Sequence, residues 1–309
     1  MKLRVAEVRH VTSDVLHLTL VHPLRPTLPR WTAGAHVDLR LPDGRIRQYS
    51  LCGDPADCSR YEVAIKREAE GRGGSRWVHE SAASEAILHV SAPRNNFELA
   101  ATAYRHVLVA GGIGVTPVVA MARSLKAAQA DFEVHFCVPS EDRAPLLPEL
   151  RDICGSRLSV WSSADQRRFD PRLLGSPRDG THVYACGPQS LSAAVEAALT
   201  QAEWPASQVH VEAFQATADE NFKPEPFDVH IASTGQILHV PADRSLLDVL
   251  RTNGFEIRAS CEAGVCGSCE CGYRSGSVIH RDKVLPLSKR QDRIMPCVSR
   301  ARLEMTLDL

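Results

Sequence analysis

The sequence has almost no charge surplus: 36 Lys and Arg stand against 37 Asp and Glu in 309 residues, a formal balance of −1. Such a balance offers no basic field for a phosphate backbone or an anionic bilayer, and it disfavours general nucleic-acid binding. Long apolar runs are missing too. No stretch approaches the roughly 18 uninterrupted apolar residues of a membrane-spanning helix, so no membrane segment is expected. The first ten residues, Met1-Lys2-Leu3-Arg4-Val5-Ala6-Glu7-Val8-Arg9-His10, alternate apolar and polar side chains where a signal peptide needs an apolar run. A cytoplasmic protein is expected. Internal repeats and low-complexity segments are also absent.

What is present is an ordinary 44% apolar content and ten cysteines. At about 150 residues per domain, the length alone suggests two domains or three. In a reducing cytoplasm a cysteine group is better read as metal ligands or redox chemistry than as a disulfide framework. Five of the ten crowd between Cys261 and Cys297, while Cys52, Cys58, Cys137, Cys154 and Cys186 are scattered.

The texture along the chain divides it in three. Up to about residue 102, short period-two runs broken by Pro and Gly predict an antiparallel β-barrel: Val15 to Val21, Ala35 to Leu41, Arg45 to Leu51, Tyr61 to Lys66 and Ala86 to Val90. Asp43-Gly44 suits a hairpin turn, and one helix is expected near Ser75 to Ala83. From 103, apolar strands alternate with amphipathic helices: His106 to Ala110, a helix Val115 to Ala130, then Phe132 to Val138, Leu158 to Trp161 and His182 to Cys186, and a helix Leu191 to Ala202. That alternation predicts an α/β domain with a parallel sheet. Thr217 to Pro226 reads as a linker, placing the boundary near 222. From 223 to 309, a hairpin around Gly235-Gln236, a helix capped by Ser245 with Asp248 and ending at Gly254, a cysteine loop and a final strand with Leu303, Met305, Leu307 and Leu309 on one face predict a β-grasp-like unit.

The tail segment Cys261-Glu262-Ala263-Gly264-Val265-Cys266-Gly267-Ser268-Cys269 has C-x4-C-x2-C spacing, and Cys297 supplies a fourth thiolate. This is plant-type [2Fe-2S] spacing. Four thiolates must converge on two irons, and Gly264 and Gly267 let the backbone wrap closely enough for its N–H groups to reach sulfur. A zinc site or plain burial are the competing readings, but structural zinc normally takes two tight C-x2-C pairs and the second pair is missing. Cys271, two positions beyond Cys269, reads as a small core residue. The tail resembles the plant-type ferredoxins.

Gly111-Gly112-Ile113-Gly114-Val115-Thr116-Pro117 follows an apolar strand and opens a helix, the context a dinucleotide pyrophosphate requires. It departs from the usual fingerprint: Pro117 stands where a third glycine would be. Cys186-Gly187-Pro188 ends a later strand at the same sheet edge. In the barrel, Gly71-Arg72-Gly73-Gly74-Ser75 precedes a short helix whose amides and Ser75 hydroxyl can hold a phosphate. Arg47 and Tyr49 share one strand face and Ser50 takes the other.

Together, Arg47-x-Tyr49-Ser50, the Gly71 to Ser75 loop, the Gly111 to Pro117 turn, Cys186-Gly187-Pro188 and the cysteine loop occur in the order of the phthalate dioxygenase reductases, which the chain resembles over nearly its whole length. That family includes the reductase components of vanillate and carnitine oxygenases. The resemblance implies FMN rather than FAD, with Arg47, Tyr49, Ser50, Gly73, Gly74 and Ser75 on the flavin and its phosphate, and Ala64, Ile65 and Lys66 alongside it. It places Gly111, Gly112, Gly114, Thr116 and Pro117, with Cys186, Gly187 and Pro188, on NADH. It also lays Phe214 against the flavin ring, where the residues alone equally allow core packing. Cys261, Cys266, Cys269 and Cys297 become the cluster ligands. Cys137-Val138-Pro139-Ser140 departs from the relatives, many of which carry Arg or Thr after that cysteine. No Arg pair stands there to clamp a 2′-phosphate, although Arg143 or Arg167-Arg168 can approach, so NADH is favoured over NADPH.

A hydride brings two electrons and a [2Fe-2S] cluster takes one, so the carrier between them must hold two and release them singly, as FMN does. The expected reaction is hydride transfer from nicotinamide C4 to flavin N5, with Ser50, Cys186 and Phe214 lining the site. Single electrons then pass through a cluster near about −400 mV to a separate Rieske-type oxygenase that hydroxylates or demethylates a small aromatic acid or quaternary ammonium. The oxygenase must be another polypeptide: among 13 histidines no Rieske pair or non-haem iron triad is evident, and His280 reads as structural. Alternatives are a reductase for a cytochrome P450 or a ferredoxin, or an iron-sulfur and flavin sensor without turnover. Nothing in the chain demands more than a monomer.

Overall fold

The structure is a computed structural model describing residues 1–69, 73–214 and 222–309. It divides into two compact units, Met1–Ala213 and Phe214–Leu309. Among the described residues no helix is long and apolar enough to cross a membrane.

The first unit opens with β1 (Lys2–Thr12), β2 (Val15–Val21), β3 (Ala35–Arg40), β4 (Ile46–Ser50) and β5 (Tyr61–Lys66), then α1 (Gly74–Ser81), β6 (Ile87–Val90) and the short β7 (Arg94–Asn95). They form one antiparallel sheet in the order β4-β3-β6-β1-β2-β5, with β7 beside β3. The edges meet through a Leu51–Val63 bridge and a Cys52 N–H to Glu62 C=O bond of 2.9 Å, which curls the sheet into the expected barrel. Leu18, Leu20, Val37, Leu39, Val63, Ile65, Leu88 and Val90 point inside. The Asp43-Gly44 turn forms as expected: Gly44 takes φ +85°, and the Asp43 carboxylate accepts from Arg45 N–H at 3.0 Å.

The same unit continues with β8 (Arg105–Gly111), α2 (Val115–Ala127), β9 (Asp131–Val138), α3 (Leu147–Cys154), β10 (Leu158–Ser162), β11 (Thr181–Cys186), α4 (Gln189–Gln201) and β12 (Val209–Glu212). The sheet is parallel throughout, ordered β10-β9-β8-β11-β12. Helix α3 is absent from the sequence reading because Pro145 and Pro148 look like breakers. Pro148 in fact occupies the first turn, where a missing N–H costs nothing, and Leu147, Leu150 and Ile153 turn inward. One face of the sheet, with Leu108, Ala110, Tyr184 and Cys186, belongs to the same buried core as the barrel. Tyr184 helps fix the two layers, since its hydroxyl accepts from Ala100 N–H at 2.7 Å and Phe97 meets its ring edge-on at 5.8 Å.

The second unit holds β13 (Phe227–Ile231), β14 (Ile237–Val240), α5 (Leu246–Thr252), β15 (Cys271–Ile279), β16 (Arg293–Ile294) and β17 (Arg300–Asp308), ordered β14-β13-β17-β15-β16 with only β13 and β17 parallel. Ser245 caps α5 as expected, accepting from Asp248 N–H at 3.1 Å. The final strand corrects one expectation. Met305 and Leu307 are buried, but Leu303 is 84% exposed, because an irregularity against β15 places it at φ +59° and breaks the alternation. Of the Thr217 to Pro226 linker, residues 217–221 lie outside the described residues.

Arg300 is 6% exposed, and its guanidinium serves carbonyls instead of a carboxylate: Arg244 at 2.7 Å, Pro241 at 2.8 Å and Glu225 at 2.9 Å, with the Phe227 ring 4.9 Å away. Burial lowers its pKa. Arg300→Met keeps the stem and removes the donors, leaving the three carbonyls unserved. The substitution is expected to cost about 1–3 kcal/mol, read as a lower urea midpoint for the second unit.

Candidate functional site

Strand order reverses between β8 and β11, and in open α/β sheets that reversal opens a crevice at the carboxyl ends of the strands. The glycine turn and Cys186-Gly187-Pro188 both sit there. A Cβ on Gly114 would stand 2.3 Å from the Cys186 carbonyl oxygen, and one on Gly187 would stand 2.9 Å from Gly111 Cα. The two chain segments therefore touch backbone to backbone. Gly112, at φ +51°, faces open space at the same turn. The 3-10 turn Gly112–Gly114 leads into α2 with no side-chain cap on its first N–H groups. Thr116 donates to Ile113 C=O at 3.1 Å, and Pro117 is buried in the first helical turn. An unobstructed turn with uncapped amides fits a pyrophosphate.

Cys186 is fully buried, and its thiol donates to Glu212 Oε2 at 3.7 Å. Burial, reinforced by the Glu212 carboxylate, holds the Cys186 thiol well above its ordinary pKa, so it stays protonated. Burial also raises Glu212 to about 7. Sequence reasoning named Cys186 and overlooked Glu212; the signal available was its position two residues before Phe214, on a strand that pairs Glu212 with Cys186. Phe214 itself begins the second unit and is 37% exposed, outside every buried core among the described residues.

Strand β5, which carries Ala64, Ile65 and Lys66, contacts the Gly112–Gly114 turn. Beyond the Leu51–Val63 bridge their free edge has no strand partner among the described residues, and Ile65 C=O bonds His79 Nε2 at 2.9 Å. Across the barrel seam, Arg47 and Tyr49 share a face, opposite Leu39 and Val37, while Ser50 is 6% exposed on the other. Burial lifts the Tyr49 pKa to about 12, keeping its phenol neutral. Arg47 runs against the start of α1: a Cβ on Gly74 would lie 2.8 Å from Arg47 Cγ, and one on Gly73 would lie 3.6 Å from an Arg45 guanidinium nitrogen. Arg47 and Arg45, the latter ion-paired with Asp43, thus flank a helix N-terminus where, among the described residues, the cap Gly73 at φ +80° brings no side-chain hydrogen bond. Ser75 accepts from Glu68 N–H at 3.0 Å and keeps its own O–H to donate. This cradle suits a phosphomonoester. Gly71 and Arg72 lie outside the described residues.

At the carboxyl ends of β9 and β10, Ser163 and Ala164 N–H donate to Val138 and Pro139 carbonyls at 3.1 and 2.9 Å, tying the two loops together. Arg167 lies over the Trp161 ring at 5.9 Å, and Glu141 is held by Arg151 at 2.7 Å. Arg143 ends the 3-10 turn Glu141–Arg143.

In the second unit the four thiols pair off. Cys269 and Cys297 sulfurs are 3.3 Å apart, and Cys261 and Cys266 are hydrogen-bonded to each other. Ala263 N–H reaches Cys261 Sγ at 3.3 Å, and Ser268 N–H reaches Cys266 Sγ at 3.5 Å. The bond from Cys261 lowers Cys266 to about 5, with Ser268 assisting, and the bond from Cys297 lowers Cys269. Gly264 at φ +71° has no room for a side chain, since its Cβ would stand 2.5 Å from Val298 Cγ2. The same bonds raise the other partners, Cys261 and Cys297, so each pair holds one thiol that loses its proton readily, and two such pairs suit a cluster of two irons. Cys271 and His280 hold structural places: Cys271 is 6% exposed in the core, and His280 Nε2 bonds Arg290 C=O at 3.0 Å.

Residues 229–302 match the 2Fe-2S iron-sulfur cluster binding domain, and residues 90–209 match the N-terminal domain of dimethylamine monooxygenase subunit DmmA-like proteins. A solved phthalate dioxygenase reductase, described as a modular structure for electron transfer from pyridine nucleotides to [2Fe-2S], is 36% identical, with a TM-score of 0.81 covering 100% of this chain and 98% of that one. The chain belongs to the phthalate dioxygenase reductase family. Like that family, it is an iron-sulfur flavoprotein oxidoreductase with a flavin barrel, a nucleotide-binding parallel sheet and a ferredoxin domain, and its cofactors are FMN, a [2Fe-2S] cluster and NADH. The heme-dependent oxidative N-demethylase beta subunit of Ectopseudomonas mendocina (strain ymp) is 41% identical over 301 residues, 97% of this chain and 96% of the relative. A type IV self-sufficient cytochrome P450 monooxygenase is 40% identical at a TM-score of 0.83, this chain covering 41% of its length.

The raised Glu212 carboxyl gives a stability test. A group moved from 4.5 to about 7 in the fold binds its proton more tightly than in the unfolded chain. Stability therefore falls as pH rises from about 4.5 to 7 and levels off above, each tenfold difference in proton affinity being worth about 1.4 kcal/mol. Glu212→Gln should remove that slope, so its urea midpoint relative to the parent rises across this window and is constant at pH 8. Parallel pH profiles for the two proteins would show that Glu212 is not the group responsible.

Proposed function

We propose that this chain is the reductase component of a multi-component oxygenase, taking electrons from NADH and delivering them singly to a separate terminal oxygenase. The observation that carries this reading is the coexistence, in one chain of the family, of a phosphate cradle at α1, an open glycine turn at the β8–β11 reversal and two thiol pairs. When bound, FMN would accept the electron pair of one hydride and pass it on one electron at a time, and the cluster would relay single electrons.

In this reading Arg47, Gly73, Gly74 and Ser75 hold the flavin phosphate, and Tyr49, Ser50, Ala64, Ile65 and Lys66 border its ring. Gly111, Gly112, Gly114, Thr116, Pro117, Gly187 and Pro188 shape the nucleotide turn. Cys186 and Ser50 line the hydride path without acting as nucleophiles, a role that suits a thiol held protonated, and Phe214 covers the ring. Cys261, Cys266, Cys269 and Cys297 ligate the iron. The three modules run 1–102, 103–222 and 223–309, supported by the change of sheet after β7 and again after β12. The protein acts as a cytoplasmic monomer.

The terminal oxygenase is read as Rieske-type, acting on a small aromatic acid or quaternary ammonium. A second reading, a haem-dependent N-demethylating oxygenase, is favoured by the match of residues 90–209 to dimethylamine monooxygenase and by the N-demethylase relative.

Anaerobic titration with NADH, followed by absorbance and EPR, tests the chain of carriers. Flavin bleaching followed by a rhombic reduced-cluster signal is expected, with NADPH much less effective. Flavin bleaching alone would support a sensor and sink the electron-transfer reading. Cys266→Ser should abolish cytochrome c reduction while flavin reduction persists; retention of both removes Cys266 from the ligand set.

A further inference from the structure

The segment after β15 lies directly on the cysteine loop. Lys283 N–H donates to Gly264 C=O at 3.0 Å, and Leu285 packs in one buried cluster with Cys269, Met295 and Cys297. Asp282 is turned inward, accepting from Leu285 N–H at 2.8 Å and Ser299 Oγ at 3.3 Å. What faces solvent is the exposed Lys283 side chain and, one turn on, Leu287 at 82% exposure. On the other flank Arg258, three residues before Cys261, is also exposed. Among the described residues neither Lys283 nor Arg258 has a carboxylate in ion-pair range.

The carboxylates of this rim are already matched. Glu262 is held by Arg251 at 2.7 Å, and Glu270 by Lys289 at 3.4 Å and Arg293 at 3.6 Å. Exposed Glu256 is the exception, and the face keeps a surplus of positive charge. At its centre Ala263, Val265, Cys261 and Cys266 are half-buried, whereas Cys269 and Cys297 are buried. The thiol pair nearest solvent thus lies in a loop that Lys283 touches through its backbone and that Arg258 precedes by three residues, with exposed Leu287 four residues beyond Lys283. An apolar centre with a charged rim is the anatomy of a protein docking patch.

We propose that this face docks the electron-accepting protein through an acidic patch that surrounds an apolar centre on that partner, an inference that rests on the reductase reading above. The chain as a whole is nearly neutral, and screening at physiological salt limits charge effects to about 8 Å, so Lys283 and Arg258 act at contact range. Each docking event moves one electron from the reduced cluster to the metal centre of the acceptor, with no bond made or broken.

The test uses the holoprotein and two haem acceptors of opposite surface charge, acidic cytochrome b5 and basic cytochrome c. In the Lys283→Glu/Arg258→Glu double variant, cytochrome b5 reduction at low ionic strength should fall ~10-fold and the deficit should shrink with added salt, while cytochrome c reduction rises. Lys283→Arg should behave as the parent, and Leu287→Ser should slow both acceptors independently of salt. Reduction of the variant's own cluster by NADH, followed by EPR, should be unchanged. Equal rates of parent and variant with both acceptors overturn the docking face, and slowed cluster reduction overturns it by placing these cations on the internal route. A parent whose cluster NADH never reduces would instead refute the underlying reductase reading.

Discussion

Everything at the nucleotide crevice depends on backbone touching backbone between the turn after β8 and the end of β11. Gly114 has 2.3 Å in which to place a Cβ that it does not have. Any larger residue pushes α2 away from Cys186, and with it the helix amides that face the crevice. The same contact sets the depth of the Cys186 thiol and brings β5 of the barrel against the turn. A missing methyl group therefore fixes the spacing between the flavin side and the nucleotide side of the first unit.

Much of this was legible in the residues. The period-two runs located β2 and β5 to the residue, the apolar runs located four of the five parallel strands but not β12, and Ser245 with Asp248 marked the start of α5. Turn chemistry was legible because Asp43-Gly44, Gly264 and Gly267 demand positive φ. What stayed hidden depended on tertiary context. Helix α3 was masked by Pro148, which is harmless in a first turn. Leu303 looked like a core residue by alternation, but an irregularity in the β15–β17 register turned it outward. Glu212 could not be distinguished from a surface carboxylate, because its pKa depends on burial beside Cys186, which periodicity does not report.

Two buried polar groups show different solutions to desolvation. Arg300 keeps its charge and directs its donors to carbonyls from three separate residues, acting as a knot for the start of the second unit. Glu212 has one weak thiol donor, and its carboxyl responds by holding a proton more firmly. The first arrangement suits a structural joint. The second suits a site where a group sits near its titration midpoint at neutral pH, so that a ligand can shift its charge.

Cys269 and Cys297 lie 28 residues apart in sequence with their sulfurs in contact. In the proposed ligand set, iron held across this pair would be a cross-link as well as a carrier. For a loop of that length the logarithmic part of the closure entropy is about 3 kcal/mol, which an unloaded chain must meet without the metal. The segment carrying Lys283 and Leu287 lies inside this loop. With that ligand set the cluster would tie the shape of the outer rim to its own presence, and a chain without iron would offer a looser surface to a partner.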